Sequence, residues 1–255
     1  MSSGSRQWRV GTAGWSIKSE LAPFAGGGSA LERYASVFNC VEINSSFYRP
    51  HKPETYARWA DSVPEHFRFS VKLPKAISHE ARLALEGNAL ERFAGELGML
   101  GEKLGAVLVQ LPPGLTFEAD RAGQFFHACS KAWAAATLCE PRHRSWFQPD
   151  ALSLMNEANV SLVGADPAIL PQAGAPIVNG GPAYWRLHGS PRMYYSAYTD
   201  AQIASYADAM RISAAQECWC IFDNTAEGAA LENALSMHAM LSARDAQLAG
   251  HAERR

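Results

Sequence analysis

Eight short apolar or β-branched runs recur along this chain, most of them separated by a segment whose apolar residues return at helical spacing. They are Arg9 to Ala13, Val41 to Ile43, Arg68 to Val71, Ala106 to Leu111, Thr137 to Cys139, Val160 to Gly164, Tyr184 to Leu187, and Trp219 to Phe222. Strands joined through helices must run parallel, with right-handed crossovers, and eight such units are the number that closes on itself. The pattern therefore predicts an α/β fold, a single (β/α)8 TIM barrel occupying residues 1–255 with its core at about 8–243 and short flexible ends. A length of 255 residues suits one such domain.

The intervening helices are legible from their caps and stripes. Leu90, Phe93, Leu97, Leu100 and Leu104 step by three and four, which predicts one apolar stripe against the sheet. Ser29 is placed to cap a helix from Leu31 to Phe38, and Pro53 to open one reaching Asp61. Pro149-Asp150 and Thr199-Asp200 open two more, burying Leu152 and Met155 in the first and Ile203, Tyr206 and Met210 in the second. A last helix follows Thr225. Asp166 to Pro182 contains four prolines and no apolar period, so a loop is expected to replace the sixth helix, and Gly26-Gly27-Gly28 marks a second irregular stretch.

Charge and cysteine usage narrow the function classes. A net charge of −2 and a pI near 6.4 argue against an extended nucleic-acid track, although a local basic pocket fits. The opening Met-Ser-Ser-Gly-Ser-Arg lacks a signal pattern and no run approaches a membrane span, so a cytoplasmic location without membrane contact is expected. Five cysteines without a CxxC or Cys/His spacing read as free buried thiols. No pattern speaks to oligomeric state.

Nearly every strand ends in a polar or glycine motif, and in this architecture the carboxyl ends of the strands form the functional mouth. Side chains alternate along a strand, so Glu42 and Asn44 share a face, as do Ser70 and Lys72, Glu140 and Arg142, and Arg186 and His188. Whether Asp223 or Asn224 faces inward depends on where the pleat ends. Acids Glu42, Glu140, Asp166 and Asp223 thus meet bases Lys72, Arg142 and Arg186, with His143 and His188 as proton carriers. An internal salt-bridge network holding the strand ends in register is the competing structural reading.

Three chemistries suit that set. Glu42, Glu140, Asp166, His188 and Asp223 are ligand types for a divalent metal, but the three cations beside them repel one, so neither metal nor other cofactor is expected. Arg142 or Arg186 suits bidentate contact with phosphate or carboxylate, supported by Gly189-Ser190 and the helix start after Thr225. Lys72 would act as a base or Schiff-base amine if burial lowered its pKa, whereas Glu42 or Glu140 nearby would keep it protonated. Among the aromatics following strand ends (Trp15, Phe47, Tyr48, Trp146, Tyr194, Tyr195), Trp146 shares a loop with Glu140, Arg142 and His143 and is the stacking candidate. His51, His66, His127, His238 and His251 read as structural or solvated.

The strand-end segments GTAGWS (11–16), VEINSSFYR (41–49), FSVKLPKAISH, LVQLPP, EPRHRSW, ADP, WRLHG and FDNTAEG resemble, in joint order, those of the YecE-like (DUF72) family, from Val10 to about Leu235. That resemblance implies a TIM barrel with a cleft at its mouth, a kinship with sugar isomerases that rests on fold alone, and no cofactor. It marks Glu42, Asn44, Lys72, Gln110, Glu140, Arg142, His143, Asp166, Arg186, His188, Asp223 and Asn224 as motif positions. Departures fall in the first loop, at Ala13, Ile17 and the stretch KSELAPFAGGGS.

The expected function is an enzyme acting on a small polar, anionic or sugar-like molecule. Glu42, Lys72, Glu140, His143 and His188 are the catalytic candidates, and Asn44, Gln110, Arg142, Trp146, Asp166, Arg186, Asp223 and Asn224 the substrate-binding ones. Isomerase- or lyase-type proton transfer ranks above hydrolysis. The rival from another class is a noncatalytic protein binding a metabolite or a nucleic acid.

Overall fold

The computed structural model describes residues 6–17, 23–24 and 26–252, with side chains through Ser242. Residues 1–5 and 253–255, read as flexible ends, lie outside the described residues, as do His251's side chain and residues 18–22 and 25 of the divergent first loop. The strands are β1 (Gln7–Thr12), β2 (Cys40–Ile43), β3 (Arg68–Lys72), β4 (Leu104–Gln110), β5 (Ala136–Glu140), β6 (Ser161–Leu162), β7 (Gly164–Asp166), β8 (Ala183–Leu187) and β9 (Glu217–Phe222). Around them lie α1 (Ala30–Ala35), α2 (Pro53–Asp61), α3 (Ala89–Leu97), α4 (Ala119–Ala132), α5 (Pro149–Glu157), α6 (Asp200–Ile212) and α7 (Ala229–Ala252).

All strand pairs are parallel, in two sheets: β1-β9-β8-β7 and β2-β3-β4-β5-β6. The expected sixth strand is divided at Val163, so that β6 pairs with β5 while β7 pairs with β8. Gly164 permits this, because a Cβ there would lie 2.8 Å from Pro176. At the other junction Ala13 bridges Glu42, and the Gly14 amide donates to the Glu42 carbonyl at 2.9 Å. Gly11 is required nearby, since a Cβ would meet the Cys40 carbonyl oxygen at 2.4 Å.

Two apolar layers follow from the alternation of side chains. Cys40, Ala106, Leu108, Leu138, Val163, Tyr184, Trp219 and Ile221 come from both sheets and pack together in a common interior. The opposite strand faces form a larger cluster with the helices, including Phe69, Phe93, Phe126, Met155, Ile203 and Met237. All five cysteines are buried and free, so they pack as small hydrophobes.

Capping starts the helices where their sequences predict, although α1, expected to reach Phe38, ends at Ala35 with Ser36 as its C-cap. Ser29 and Glu32 form a reciprocal capping box on α1, and Thr199 and Gln202 another on α6. Pro53 and Pro149 each open a helix in the first turn, where a missing N–H costs nothing. The stripe expected to run to Leu104 is instead broken after Leu97. Gly98–Lys103 tightens into a 3-10 segment, Gly101 takes φ 53°, and Leu104 starts β4. Between β7 and β8 the described helical turn is the 3-10 segment Pro171–Gly174, as four prolines demand. No helix of the described residues is long and apolar enough to cross a membrane.

Candidate functional site

The carboxyl ends of β2, β3, β5, β8 and β9 deliver an ionised cluster whose centre is Arg186. This guanidinium is 0% exposed, and three carboxylates surround it. Its Nε and Nη2 donate to the two Glu42 oxygens at 2.9 and 2.7 Å. Nη1 donates to Glu140 Oε2 at 3.0 Å, and Nη2 also lies 3.1 Å from Asp223 Oδ2. Tyr184, two residues earlier on the same face, donates its hydroxyl to Glu42 Oε2 at 3.0 Å and lies 2.8 Å from Ser70 Oγ.

His188 continues that face and is equally buried. Its Nδ1 lies 2.9 Å from Asp223 Oδ2, and its Nε2 lies 2.9 Å from Glu140 Oε1 and 2.7 Å from Arg142 Nη2. Arg142 also pairs closely with Glu140. Nε2 cannot donate to Glu140 and accept from Arg142 through the same lone pair, so the two contacts correspond to alternative proton positions. Gly189, at φ 94°, turns the chain immediately afterwards, and the following loop returns the Tyr194 amide to the His188 carbonyl at 2.5 Å. The Tyr194 ring lies edge-on to the imidazole, 5.8 Å between centroids.

Charge neutralisation favours the ionised forms of Glu140, Asp223 and Arg186. Burial opposes the Glu140 carboxylate, but Arg142, His188 and Arg186 outweigh it and keep its pKa well below the ordinary value. Asp223 is likewise disfavoured by burial and rescued chiefly by Arg186. Burial works against the Arg186 cation too, and Asp223, Glu42 and Glu140 overcome it. Because these oxygens are turned onto Arg186 and His188, they do not form a cage for a divalent ion, and no group of three ligating residues among the described ones does.

The structure gathers Glu42, Lys72, Glu140, Arg142, Arg186, His188 and Asp223, as alternation predicts. Between the last two candidates it is Asp223 that faces inward. Gln110 joins the rim, half-buried and opposite Glu140 in register. Asn44 lies where β2 turns into a 3-10 segment, with its Oδ1 buried and without a protein partner, as is Arg142 Nε.

The expectations for Asp166, Asn224 and Trp146 are corrected, and His143 is placed at a turn. Asp166 stands opposite Leu187 while Ala165 stands opposite Arg186, so the pleat turns Asp166 away, and its Oδ2 accepts from Tyr198 at 2.7 Å. Asn224 likewise faces outward from Asp223 and donates to the Ser196 carbonyl and Asn233 Oδ1, both at 2.9 Å, pinning the Tyr198 loop to α7. His143 caps the turn Arg144–Phe147 through Ser145, which engages its Nδ1. Trp146 is 1% exposed, donates to the Leu115 carbonyl at 2.8 Å and packs on Phe117, making it an internal anchor instead of a stacking platform. Arg186 directs four contacts onto three protein carboxylates, Glu42, Glu140 and Asp223.

Ser70 shares the inward face of Lys72 as alternation predicts, although it was given no site role; Tyr184, two residues before Arg186 on the same face, was not among the candidates. For Tyr184 the spacing contained the signal, and the apolar look of its strand concealed it.

Comparison with known proteins places this geometry among relatives. Residues 9–255 match the family model described as "Protein of unknown function DUF72". UPF0759 protein YecE of Escherichia coli (strain K12) is 38% identical over 84 residues, covering 33% of this chain and 31% of YecE. UPF0759 protein YunF of Bacillus subtilis (strain 168) is 25% identical over 147 residues, covering 55% of this chain and 52% of YunF. The matched segments thus span under a third and about half of those relatives. A DUF72 family crystal structure from Enterococcus faecalis V583 superposes with a TM-score of 0.76 at 27% identity, over 93% of this chain and 98% of that one. Another from Thermotoga maritima MSB8 shares the fold with a TM-score of 0.76 at 21% identity, over 92% and 99%. With a family match running from residue 9 to residue 255, this chain belongs to the DUF72 family.

Proposed function

We propose that the two parallel sheets close as one (β/α)8 barrel, and that the Arg186 cluster at its mouth is the active site of an enzyme for a small polar, anionic or sugar-like substrate. Proton transfer of the isomerase or lyase type is the favoured chemistry, ahead of hydrolysis. The observation that carries this reading is the placement of His188 between two carboxylates, with Arg142 at the same imidazole nitrogen as Glu140. Asp223 orients the ring through Nδ1, as a carboxylate partner does for a general base. Nε2 then takes or gives a proton, and Glu140 is the adjoining acceptor. Arg142 Nε, with no protein partner, is the donor available to a substrate carboxylate or phosphate, and Asn44 Oδ1 the acceptor available to a hydroxyl.

Deuterium exchange tests the reading. Aldose, ketose and 2-hydroxy-acid phosphates incubated with the protein in D2O should incorporate deuterium at carbon, followed by proton NMR. In His188→Gln the rate should fall about 10²–10⁴-fold, the usual contribution of a positioned general base. Thermal stabilisation by one of these compounds without exchange would assign the mouth to noncatalytic binding, and neither response would remove the reading altogether.

A further inference from the structure

Lys72 ends β3 in the same cluster and is the cation that its carboxylates leave aside. The expectation was that Glu42 or Glu140 would hold it as a paired ammonium. Instead Glu42 gives both oxygens to Arg186, Glu140 is shared by Arg186, Arg142 and His188, and Asp223 serves Arg186 and His188. Among the described residues the Lys72 amine makes no hydrogen bond or ion pair. It lies 4.1 Å from the centroid of the Phe47 ring, and the residue is 6% exposed.

That contact is built. Ser46 donates to the Lys72 carbonyl at 2.6 Å and to the Ile43 carbonyl at 2.9 Å, tying the 3-10 turn that carries Phe47 to the end of β3. His79 packs edge-on to Phe47, 4.9 Å between centroids. Burial first, and Arg186 second, push the Lys72 amine down to about 8, against the pull of Glu42, Asp223 and Glu140. Two other lysines are partnered: Lys103 is held by the Ala60 and Val63 carbonyls at 2.6 Å each, and Lys75 is paired with Glu80 at 3.3 Å.

We propose that Lys72 is a nucleophile that captures a carbonyl substrate, an open-chain sugar or a 2-oxo acid, as a protonated Schiff base. This rests on reading the cluster as a catalytic site and names the substrate class of that site. The neutral amine's lone pair forms a bond to the carbonyl carbon, and the π pair moves to oxygen, which takes a proton from His188 or solvent. The nitrogen, cationic after the attack, gives one of its two protons to His188 or solvent and so regains its lone pair; the hydroxyl then leaves as water after a second protonation as that lone pair closes the C=N bond. Overall, ammonium and carbonyl give iminium and water, with no oxidant or reductant required. The iminium draws electrons from the neighbouring carbon, so that carbon's proton can pass to His188.

Reductive trapping reads the intermediate directly. The unmodified protein is incubated with glyoxylate or glyceraldehyde and sodium cyanoborohydride near neutral pH, and the lysine adducts are mapped by peptide mass spectrometry. Lys72 should be labelled at least about tenfold faster than exposed Lys52, Lys75 or Lys131, because a larger share of its amine is neutral. Labelling at Lys72 no faster than at those lysines, with both probes, would overturn the inference. No variant is needed, so misfolding cannot obscure the outcome. Lys72→Met, checked by circular dichroism, should lose that adduct while keeping those at the other lysines. Trapping without deuterium exchange would leave Lys72 as the nucleophile and end the proton-transfer reading, whereas exchange without trapping would do the reverse.

Discussion

Arg9 and Arg186 are both buried arginines pointing into the space between the sheets, one near the amino ends of the strands and one near the carboxyl ends. Arg9 is satisfied by a single partly exposed carboxylate, Glu217, by the carbonyls of Asn39 and His66 at 3.4 and 3.1 Å, and by Gln7 Oε1 at 3.1 Å. It staples backbone to backbone. Arg186 touches only side-chain carboxylates, three of them, and these in turn hold His188 and Arg142. The two ends are linked through the interior, where the Arg9 guanidinium lies 5.5 Å from the Trp219 ring centroid, and Trp219 stacks on Tyr184, whose hydroxyl reaches Glu42. The contrast separates two uses of a buried cation. Backbone carbonyls cannot exchange protons, so Arg9 stabilises, whereas a cluster of titratable partners is costly for stability alone and suits chemistry.

The largest expected effect comes from breaking the carboxyl-end cluster. Arg186→Met leaves three buried carboxylates without their shared cation and should cost at least about 3–5 kcal/mol in urea unfolding. Arg9→Met should cost less, about 1–3 kcal/mol, because its carbonyl partners lose hydrogen bonds without leaving a charge cluster uncompensated. Adding Glu42→Gln and Glu140→Gln to Arg186→Met should recover part of the loss. A costlier Arg9→Met, or no recovery, would dissolve the distinction between the two ends.

Acid titration sharpens it further. Glu140 and Asp223 have folded pKa values below their ordinary 4.5 and 3.8, so the unfolded chain binds their protons first. Their contribution to stability is therefore complete above those ordinary values and is lost as the pH falls towards the folded ones. Unfolding midpoints measured between about pH 6 and 3 should decline, and Glu140→Gln should flatten the decline. A decline unchanged by Glu140→Gln but removed by Glu217→Gln would place the acid-sensitive charge at the amino end.

The smallest effect is assigned to Trp146. Trp146→Phe removes the hydrogen bond to Leu115 and should cost about 1 kcal/mol while leaving deuterium exchange unchanged. A loss of exchange with intact stability would return Trp146 to the wall of the site.

Legibility in the sequence followed the range of each interaction. Caps such as Ser29 with Glu32 lie within one helical turn and are read directly. The inward pairs Glu42, Lys72, Glu140, Arg186 and His188 followed from strand alternation, which is also local. Residues named for a motif or a shared loop, and not for their face, are the ones that alternation does not bring into the cluster. Asp166 and Asn224 are each one step out of phase, and His143 and Trp146 lie beyond β5, where the backbone has left the pleat. The division of the sixth strand at Val163 likewise depended on which neighbours Ser161–Leu162 and Gly164–Asp166 met in space.

The chain itself determined the alternation of strands and helices, the loop in place of a sixth helix, and the face each ionisable side chain takes, because propensity, capping and pleat act between residues a few positions apart. Tertiary structure alone decided which charges neutralise one another. Arg186 takes its principal partner, Glu42, from 144 positions away, and in doing so leaves Lys72 against Phe47 without a carboxylate of its own. A period of two assigns a face, whereas the choice of partner depends on ångström-scale distances fixed by how the sheets pack, and Coulomb energy in a buried site is sensitive to those distances.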